Sequence, residues 1–277
     1  MAPASSVEAL AARGLVAHGL VVHHVDAAHL EVSLPGDSED RRATLSLGSL
    51  RRVLALADPA QHEQRVEAWA ATAAAVLRGE AFPGPVEERL VPRLLGAPDP
   101  RLWTTPVADG LHLAIAEDLP GRQRLLTPFD LPRMGLSVHR LPGLALDNLA
   151  RLTPPPVLLS SPRGARAWQV GDGLDAARLL LLGRPAAMDG MPRPDTGALA
   201  VVPARDLCWW VPVDGESTVQ AGVDLWGAAQ GLGSLPYPLS PRLWWVRSGG
   251  VEAVELRREH GTVRLVLPPG LAAALCR

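Results

Sequence analysis

The chain has 277 residues and no lysine, so all 27 of its basic residues are arginine. P-loop NTPases need a lysine that reaches the phosphates, and pyridoxal phosphate enzymes need one that forms a Schiff base. Both classes of protein are therefore excluded. Isoleucine, asparagine and tyrosine occur once each, while alanine, glycine, proline, arginine and leucine dominate, which is typical of a GC-rich genome.

Cysteine is scarce and long apolar runs are missing. Cys208 and Cys276 are the two cysteines and form no CxxC motif, which favours a reducing compartment over a disulfide scaffold. The first residues lack the basic and apolar regions of a signal peptide. Apolar runs such as Leu179 to Leu182 are far too short to span a bilayer. We expect a cytoplasmic protein without a membrane partner.

Charge is nearly balanced, with 27 basic and 29 acidic residues and a net charge of −2. No basic field exists that would attract nucleic acid, so we expect no nucleic-acid partner. The histidines and cysteines do not show the spacing of a metal site, and no serine lies in a nucleophile motif. The sequence thus predicts no metal, no cofactor and no catalytic residue, and it favours a protein that is not an enzyme.

The hydrophobic pattern predicts an N-terminal module over residues 1–82. It consists of a helix, three short strands and two further helices. The second of these helices has a capping box at Asp58 to Gln61, with Pro59 at its first position. The strands alternate apolar and polar residues, for example over His29 to Leu34, as expected for a sheet with one buried face.

The pattern predicts a larger module over residues 86–277. Leu90 to Leu94 could be a strand or a short helix, and hairpin strands follow at Leu102 to Val107, Leu111 to Glu117 and Arg122 to Leu126. Helices are predicted near Val138 to Leu152, Leu174 to Leu182 and Ser217 to Gln230, and strands over most of the remainder. Because strands and helices occur in separate runs, the fold class is α+β, with mainly antiparallel sheets and helices packed on one face.

Several charged residues are candidates for ligand binding because they fall at the ends of predicted strands and helices. They are Asp118, Asp175, Arg178, Arg205 and Asp206. Around one cleft, the arginines could bind a carboxylate or phosphate with two hydrogen bonds each. The alternative is that the aspartates serve turns and helix caps, where aspartate is favoured for its bonds to the backbone.

Tryptophan is the abundant aromatic residue, with eight copies. Trp209 and Trp210 form one adjacent pair, and Trp244 and Trp245 form another. Each pair should place one ring on either face of its sheet. Tryptophan is enriched at interface hot spots, so these rings predict a protein interface, together with a loop that contains Met188 and Met191. The alternative is that helices of the same chain cover the rings.

Short motifs in a fixed order over about residues 40–260 resemble the YtpQ-like family of uncharacterised bacterial proteins. Before residue 150 they are Leu90-Val91-Pro92-Arg93, the hairpin that ends at Asp118, and Ala145 with Asn148-Leu149. After it they are Asp175-Ala176-Ala177-Arg178-Leu179-Leu180, Val202-Pro203-Ala204-Arg205-Asp206-Leu207 and Pro238-Leu239-Ser240. The resemblance implies a cytoplasmic bacterial protein with one continuous family domain, and it implies no catalytic residue because the family has no established activity.

Three functions follow from these observations. The first is a non-enzymatic adaptor that binds another protein through the tryptophan-bearing sheet. The second is a small-ligand-binding protein, or an enzyme, with an Asp/Arg cleft. The third is a structural subunit of a larger assembly, which predicts a self-complementary interface.

Overall fold

A computed structural model of the chain describes residues 6–55, 57–79, 85–119, 122–160, 164–184, 191–232, 235, 237–259 and 262–276. Within these ranges, no helix combines the length and the apolar character needed to cross a membrane. Met188, one of the predicted interface residues, lies outside the described residues.

The N-terminal elements follow the predicted order. They are α1 (Val7–Ala17), β1 (Val21–Val25), β2 (His29–Ser33), β3 (Ala43–Ser46), α2 (Gly48–Ala55) and α3 (His62–Leu77), with short 3-10 helices at Glu39–Arg41 and Pro59–Gln61. The hydroxyl of Ser6 accepts the backbone N–H of Ala9 and so caps α1. The strands form an antiparallel sheet in the order β1-β2-β3, and Leu15, Leu30 and Trp69 belong to the core beneath it.

A second sheet is organised around one long strand. After a 3-10 helix at Val86–Arg89, the chain forms β4 (Leu90–Leu95), β5 (Thr104–Ala108), β6 (Leu111–Leu119), β7 (Arg122–Leu125), α4 (Asp130–Met134) and α5 (Leu141–Arg151). Strand β6 pairs antiparallel with β4, β5 and β7. The ambiguous segment Leu90–Leu95 is therefore a strand. Its Pro92 is tolerated because β4 is an edge strand, where a missing backbone N–H costs little.

The third sheet is the largest. Its strands are β8 (Val157–Leu158), β9 (Arg166–Trp168), β10 (Ala198–Ala204), β11 (Cys208–Pro212), β12 (Pro238–Arg247), β13 (Gly250–Glu259) and β14 (Thr262–Val266), and the helices are α6 (Ser217–Gln230) and α7 (Pro269–Leu275). In the described part of the chain the order is β14-β13-β12-β10-β11-β9-β8, with antiparallel pairing throughout. Every residue of β10 is buried, so this strand forms the centre of the molecule.

The two faces of the large sheet have different coverings. Leu199 and Trp245 point towards α6 and α7, where they share a core with Leu225 and Leu271. The opposite face packs on the β4-β6 sheet and on the segment 174–182. The structure thus confirms the α+β class with antiparallel sheets.

The segment predicted as a helix over Leu174 to Leu182 is instead a 3-10 helix at Ala176–Leu181. The backbone N–H of Arg178 is shared between the carbonyls of Leu174 and Asp175, at 3.2 Å each. Such three-centre bonds tighten a short turn. The C-terminal turn predicted over Leu271 to Leu275 is the α-helix Pro269–Leu275.

Candidate functional site

A polar cavity of about 300 Å³ lies where the β4-β6 sheet, the corner after β10 and the N-terminal elements meet. Its volume is at the lower end of the range for small-molecule sites. The N-terminal elements contribute His29, Ser46 and Arg51. The charged side chains that line it are Arg51, Arg93, Asp118, Arg122, Asp172, Arg205 and Asp206.

Three of the five predicted ligand-binding residues therefore come together in this cavity, namely Asp118, Arg205 and Asp206. The other two, Asp175 and Arg178, lie beneath it and have no exposed side-chain surface. The cleft predicted from the sequence thus divides into a solvent-accessible layer and a buried layer.

Arg93 is a cation of the cavity that sequence reasoning missed. It is half-buried on β4, and its Nη1 donates to Oε1 of Gln123. Its guanidinium forms no direct ion pair with a carboxylate among the described residues, although the charges of Asp206, Asp172 and Asp118 are near enough to favour its charged form. Burial first, and then the like charge of Arg205, lower the pKa of Arg93 to about 10. The guanidinium is therefore charged at neutral pH, but its surroundings favour the charged form less than water does.

Gln123 connects this cation to an anion. Its Nε2 donates to Oδ1 of Asp118 at 3.1 Å and to the backbone oxygen of Asp172 at 3.4 Å. The register of β6 and β7 places Gln123 directly opposite Asp118, which brings the two side chains together. One carboxamide therefore binds Arg93 through its oxygen and Asp118 through its nitrogen.

Arg205 is held by two neighbours. Its Nε and Nη2 donate to the carboxylate of Asp206, at 3.0 and 2.9 Å respectively. Its Cζ lies 3.8 Å from the centre of the Tyr237 ring, a cation–π contact. Tyr237 has a φ of +56°, which is costly for a residue with a side chain. Arg205 and Asp206 lie between two strands, since β10 ends before them and β11 begins after them, as expected for charged residues at strand ends.

The floor of the cavity is a buried ion-pair network. Arg178 donates to both carboxylate oxygens of Asp172, at 3.0 and 2.7 Å, and to Asp175 at 2.6 Å. Asp175 also accepts the backbone N–H groups of Val170 and Gly171. Burial and the nearby charge of Asp172 raise the pKa of Asp175, against the attraction of Arg178, because two carboxylates share one cation. Asp175 and Arg178 thus support the cavity from below and do not face it.

Gly173 allows Arg93 to reach this floor. Its φ is +78°, and a Cβ atom there would lie 2.7 Å from Nη1 of Arg93. Any larger residue would therefore meet the guanidinium. A second close approach joins the N-terminal elements to the floor, because a Cβ on Gly48 would lie 2.8 Å from Cα of Asp172.

The predicted tryptophan interface requires a correction. The rings of Trp210, Trp244 and Trp245 are buried in the folded chain, and Trp209 is half-buried. Each adjacent pair does place its rings on opposite faces, but helices cover one face and the second sheet covers the other. Met191 is partly buried against the same core as Trp244. These three buried rings cannot form a contact surface of the folded protein.

Other chemistry is limited in the described part of the chain. No cluster of three or more His, Cys, Asp or Glu side chains is placed to hold a metal ion there. Burial raises the pKa of the Cys208 thiol, which is inaccessible in the core. Comparisons with family models, curated proteins and solved structures found no match to this chain. Membership of the YtpQ-like family stays a prediction.

Proposed function

We propose that the protein binds a small anionic ligand in the polar cavity that Arg93 lines. This is the ligand-binding alternative predicted from the sequence. One observation carries the proposal. Arg93 is a half-buried cation without a direct ion pair to a carboxylate among the described residues, and the guanidinium of Arg205 beside it disfavours its charge more than any one of Asp206, Asp172 and Asp118 favours it.

An anion would supply what this arrangement lacks. Buried charges in proteins are normally paired, because removing an unpaired charge from water is costly. A carboxylate or phosphate between Arg93 and Arg205 would replace their repulsion with charge-assisted hydrogen bonds, and guanidinium geometry suits both anions. Arg122 is exposed at the rim, where its charge attracts anions towards the cavity.

The proposal is tested by thermal unfolding of the full chain in increasing inorganic phosphate, at constant ionic strength with chloride as the balancing anion. A ligand that binds only the folded state stabilises it by about 2.7 kcal/mol at a concentration 100 times its Kd. We expect a saturable rise in Tm for the wild type. No saturable rise would overturn the proposal.

Two variants connect this rise to the cavity. Arg93→Gln removes the charge, and we expect it to abolish the phosphate-dependent rise while leaving the ligand-free Tm unchanged or higher. Arg101→Gln is the matched control, because Arg101 is an 85% exposed arginine that does not line the cavity. An Arg93→Gln protein that responds to phosphate as the wild type does would contradict the assignment.

Protein binding is a second candidate, and we propose the outer edge of β8 for it. Val157 and Leu158 on this strand are 60% and 67% exposed. Among the described strands β8 pairs only with β9, so its other edge is open to a further strand from a partner or a second copy. Leu158→Glu tests this edge, and Val266→Glu on the opposite edge strand is its control. Size-exclusion chromatography and cross-linking should show a loss of assembly or of a partner in Leu158→Glu alone. An unchanged assembly state and partner set in Leu158→Glu would refute it.

A cytoplasmic location is part of the same proposal. It is supported by the two cysteines, Cys208 and Cys276, which are both free thiols in the structure. Free thiols are typical of reducing compartments.

A further inference from the structure

The cavity contains carboxylates as well as guanidinium groups, and this mixture restricts the chemistry of its ligand. Asp118 and Asp206 line it together with Arg93 and Arg205. We infer that the ligand is a small phosphate or carboxylate that also carries hydroxyl or ammonium groups close to its anionic group. The inference rests on the anion-binding function proposed above and specifies its ligand class.

The first argument is that a bare anion would meet repulsion. An anion between Arg93 and Arg205 lies beside two carboxylates, which disfavour it unless a donor lies between them. A hydroxyl or ammonium group converts that repulsion into a hydrogen bond. The same carboxylates would thus select against chloride and other anions that carry no donor, whereas inorganic phosphate at neutral pH retains a hydroxyl group.

The second argument is the capacity of the two carboxylates. An ionised carboxylate accepts about four hydrogen bonds. Asp206 accepts one hydrogen bond from Arg205 at Oδ1 and two at Oδ2, and Asp118 accepts from Gln123 at Oδ1. Oδ1 of Asp206 thus keeps a second lone pair for a donor of the ligand, and Asp118 presents a second carboxylate to the same cavity.

The third argument is the short distance between the cationic and anionic parts. Gln123 binds Arg93 with its oxygen and Asp118 with its nitrogen. Two hydrogen bonds of about 3 Å joined through one carboxamide keep the two charged groups at most roughly 8 Å apart. A three-carbon compound spans this distance when its anionic group lies at one end and its hydroxyl groups lie on the next carbons.

The test uses matched probes in isothermal titration calorimetry of the full chain. Propyl phosphate is compared with glycerol 3-phosphate, and propanoate with glycerate and alanine, so that each pair differs in its donor groups. We expect the probes with donors to bind at least tenfold more tightly than their matched partners. The two series also show whether the anionic group is a phosphate or a carboxylate.

A variant assigns the preference to Asp118. In Asp118→Ala we expect the preference for glycerol 3-phosphate over propyl phosphate to fall several-fold, because Asp206 alone remains to accept the donors, and propyl phosphate to bind more tightly than it does to the wild type. Asp118→Val replaces it if the alanine variant does not fold, because valine also lacks an acceptor. Asp109→Ala is the control, because Asp109 is 89% exposed and does not line the cavity.

The outcomes separate the two proposals. Anion binding without any preference for donors would overturn this inference and leave the anion site intact. Binding of none of the phosphates or carboxylates would overturn the anion site itself. A donor preference that is unchanged in Asp118→Ala, or in the valine variant that replaces it, would also contradict the inference, since another group would then be its cause.

Discussion

The guanidinium of Arg178 binds both carboxylate oxygens of Asp172, and neither side chain is exposed to solvent. The pair fixes the loop that forms the floor of the cavity, because the backbone oxygen of Asp172 accepts from Gln123 and the neighbouring Gly173 faces Arg93. The buried layer therefore positions the layer that would contact a ligand.

Arg178→Met should destabilise the protein strongly. The substitution keeps much of the side-chain volume but leaves Asp172 and Asp175 buried without their cation. Breaking a buried pair in this way costs about 3–5 kcal/mol. Chemical denaturation measures the free energy of unfolding, with Arg184→Met as control because the Arg184–Asp147 pair is exposed to solvent. Equal stabilities of the two variants would contradict the prediction.

Gly173→Ala should lower the affinity for phosphate, while its loss of folding stability should be no larger than that of a comparable glycine substitution elsewhere. A residue with a Cβ atom at positive φ costs about 1–2 kcal/mol, and the new methyl group would also displace the end of the flexible Arg93 side chain. Gly135→Ala is the matched control, because Gly135 has a φ of +65° and no atom within 4 Å of its Cβ position. We expect similar stability losses in both variants, measured by denaturation, and a loss of phosphate affinity in Gly173→Ala alone. A Gly173→Ala protein with wild-type phosphate affinity would contradict the role of Arg93.

Much of the fold can be predicted from the sequence because its apolar residues recur with the period of helices or strands. The helix expected over Ser217 to Gln230 has those same bounds in the structure. Adjacent tryptophans fall on opposite faces, as the period of a strand requires. Their burial could not be predicted, since it depends on which distant segments cover each face.

The site could be predicted only in part. Asp118, Arg205 and Asp206 were recognisable because charged residues stand out at strand ends. Arg93 gave a weaker signal, as a single charge within the apolar segment Leu90–Leu95. The contact between Arg93 and Gln123 depends on the register of the β6–β7 hairpin and on how the sheet packs against the loop. It joins residues that are distant in sequence, so the sequence pattern does not show it.

Tyr237 should matter to the cavity through its ring. Tyr237→Phe keeps the contact with Arg205, so we expect phosphate affinity within about twofold of the wild type. Tyr237→Gly removes the ring but relieves the cost of the positive φ. We expect this variant to be at least as stable as Tyr237→Phe and to bind phosphate several-fold more weakly, because Arg205 loses one of its two neighbours. Calorimetry and thermal unfolding measure both effects. Equal affinities in the two variants would show that the ring does not position Arg205.

The tryptophans should contribute to stability according to their burial. Trp244 is fully buried, and replacing a buried aromatic residue with alanine costs about 3–5 kcal/mol. Trp209 is half-buried, so its replacement should cost clearly less. Urea denaturation of Trp244→Ala and Trp209→Ala measures the difference. A small loss in Trp244→Ala would indicate a ring that does not belong to the core.

Asp175 gives the stability a distinctive dependence on pH. Its pKa is raised to about 6 in the folded state, by burial first and then by the charge of Asp172, from an ordinary value of about 3.9. The folded chain therefore binds this proton more tightly than the unfolded chain does. The contribution of Asp175 to stability is complete below about pH 4 and is lost as the pH rises through about 6. Other carboxylates act in the opposite direction. Despite burial, Arg89 and Arg124 lower the pKa of Glu117, and the backbone N–H of Thr127 followed by Arg124 lowers the pKa of Asp130.

Asp175→Asn isolates this contribution, because asparagine is neutral like the protonated acid. We expect the loss of stability in Asp175→Asn, relative to the wild type, to be smaller at pH 7 than at pH 4. Asp147→Asn, at an exposed ion pair, is the control. A direct measurement follows the Asp175 carboxyl carbon by NMR, where a midpoint near pH 6 is expected. A midpoint below 4 would mean that Arg178 outweighs burial and the charge of Asp172, so that both carboxylates under the cavity stay ionised.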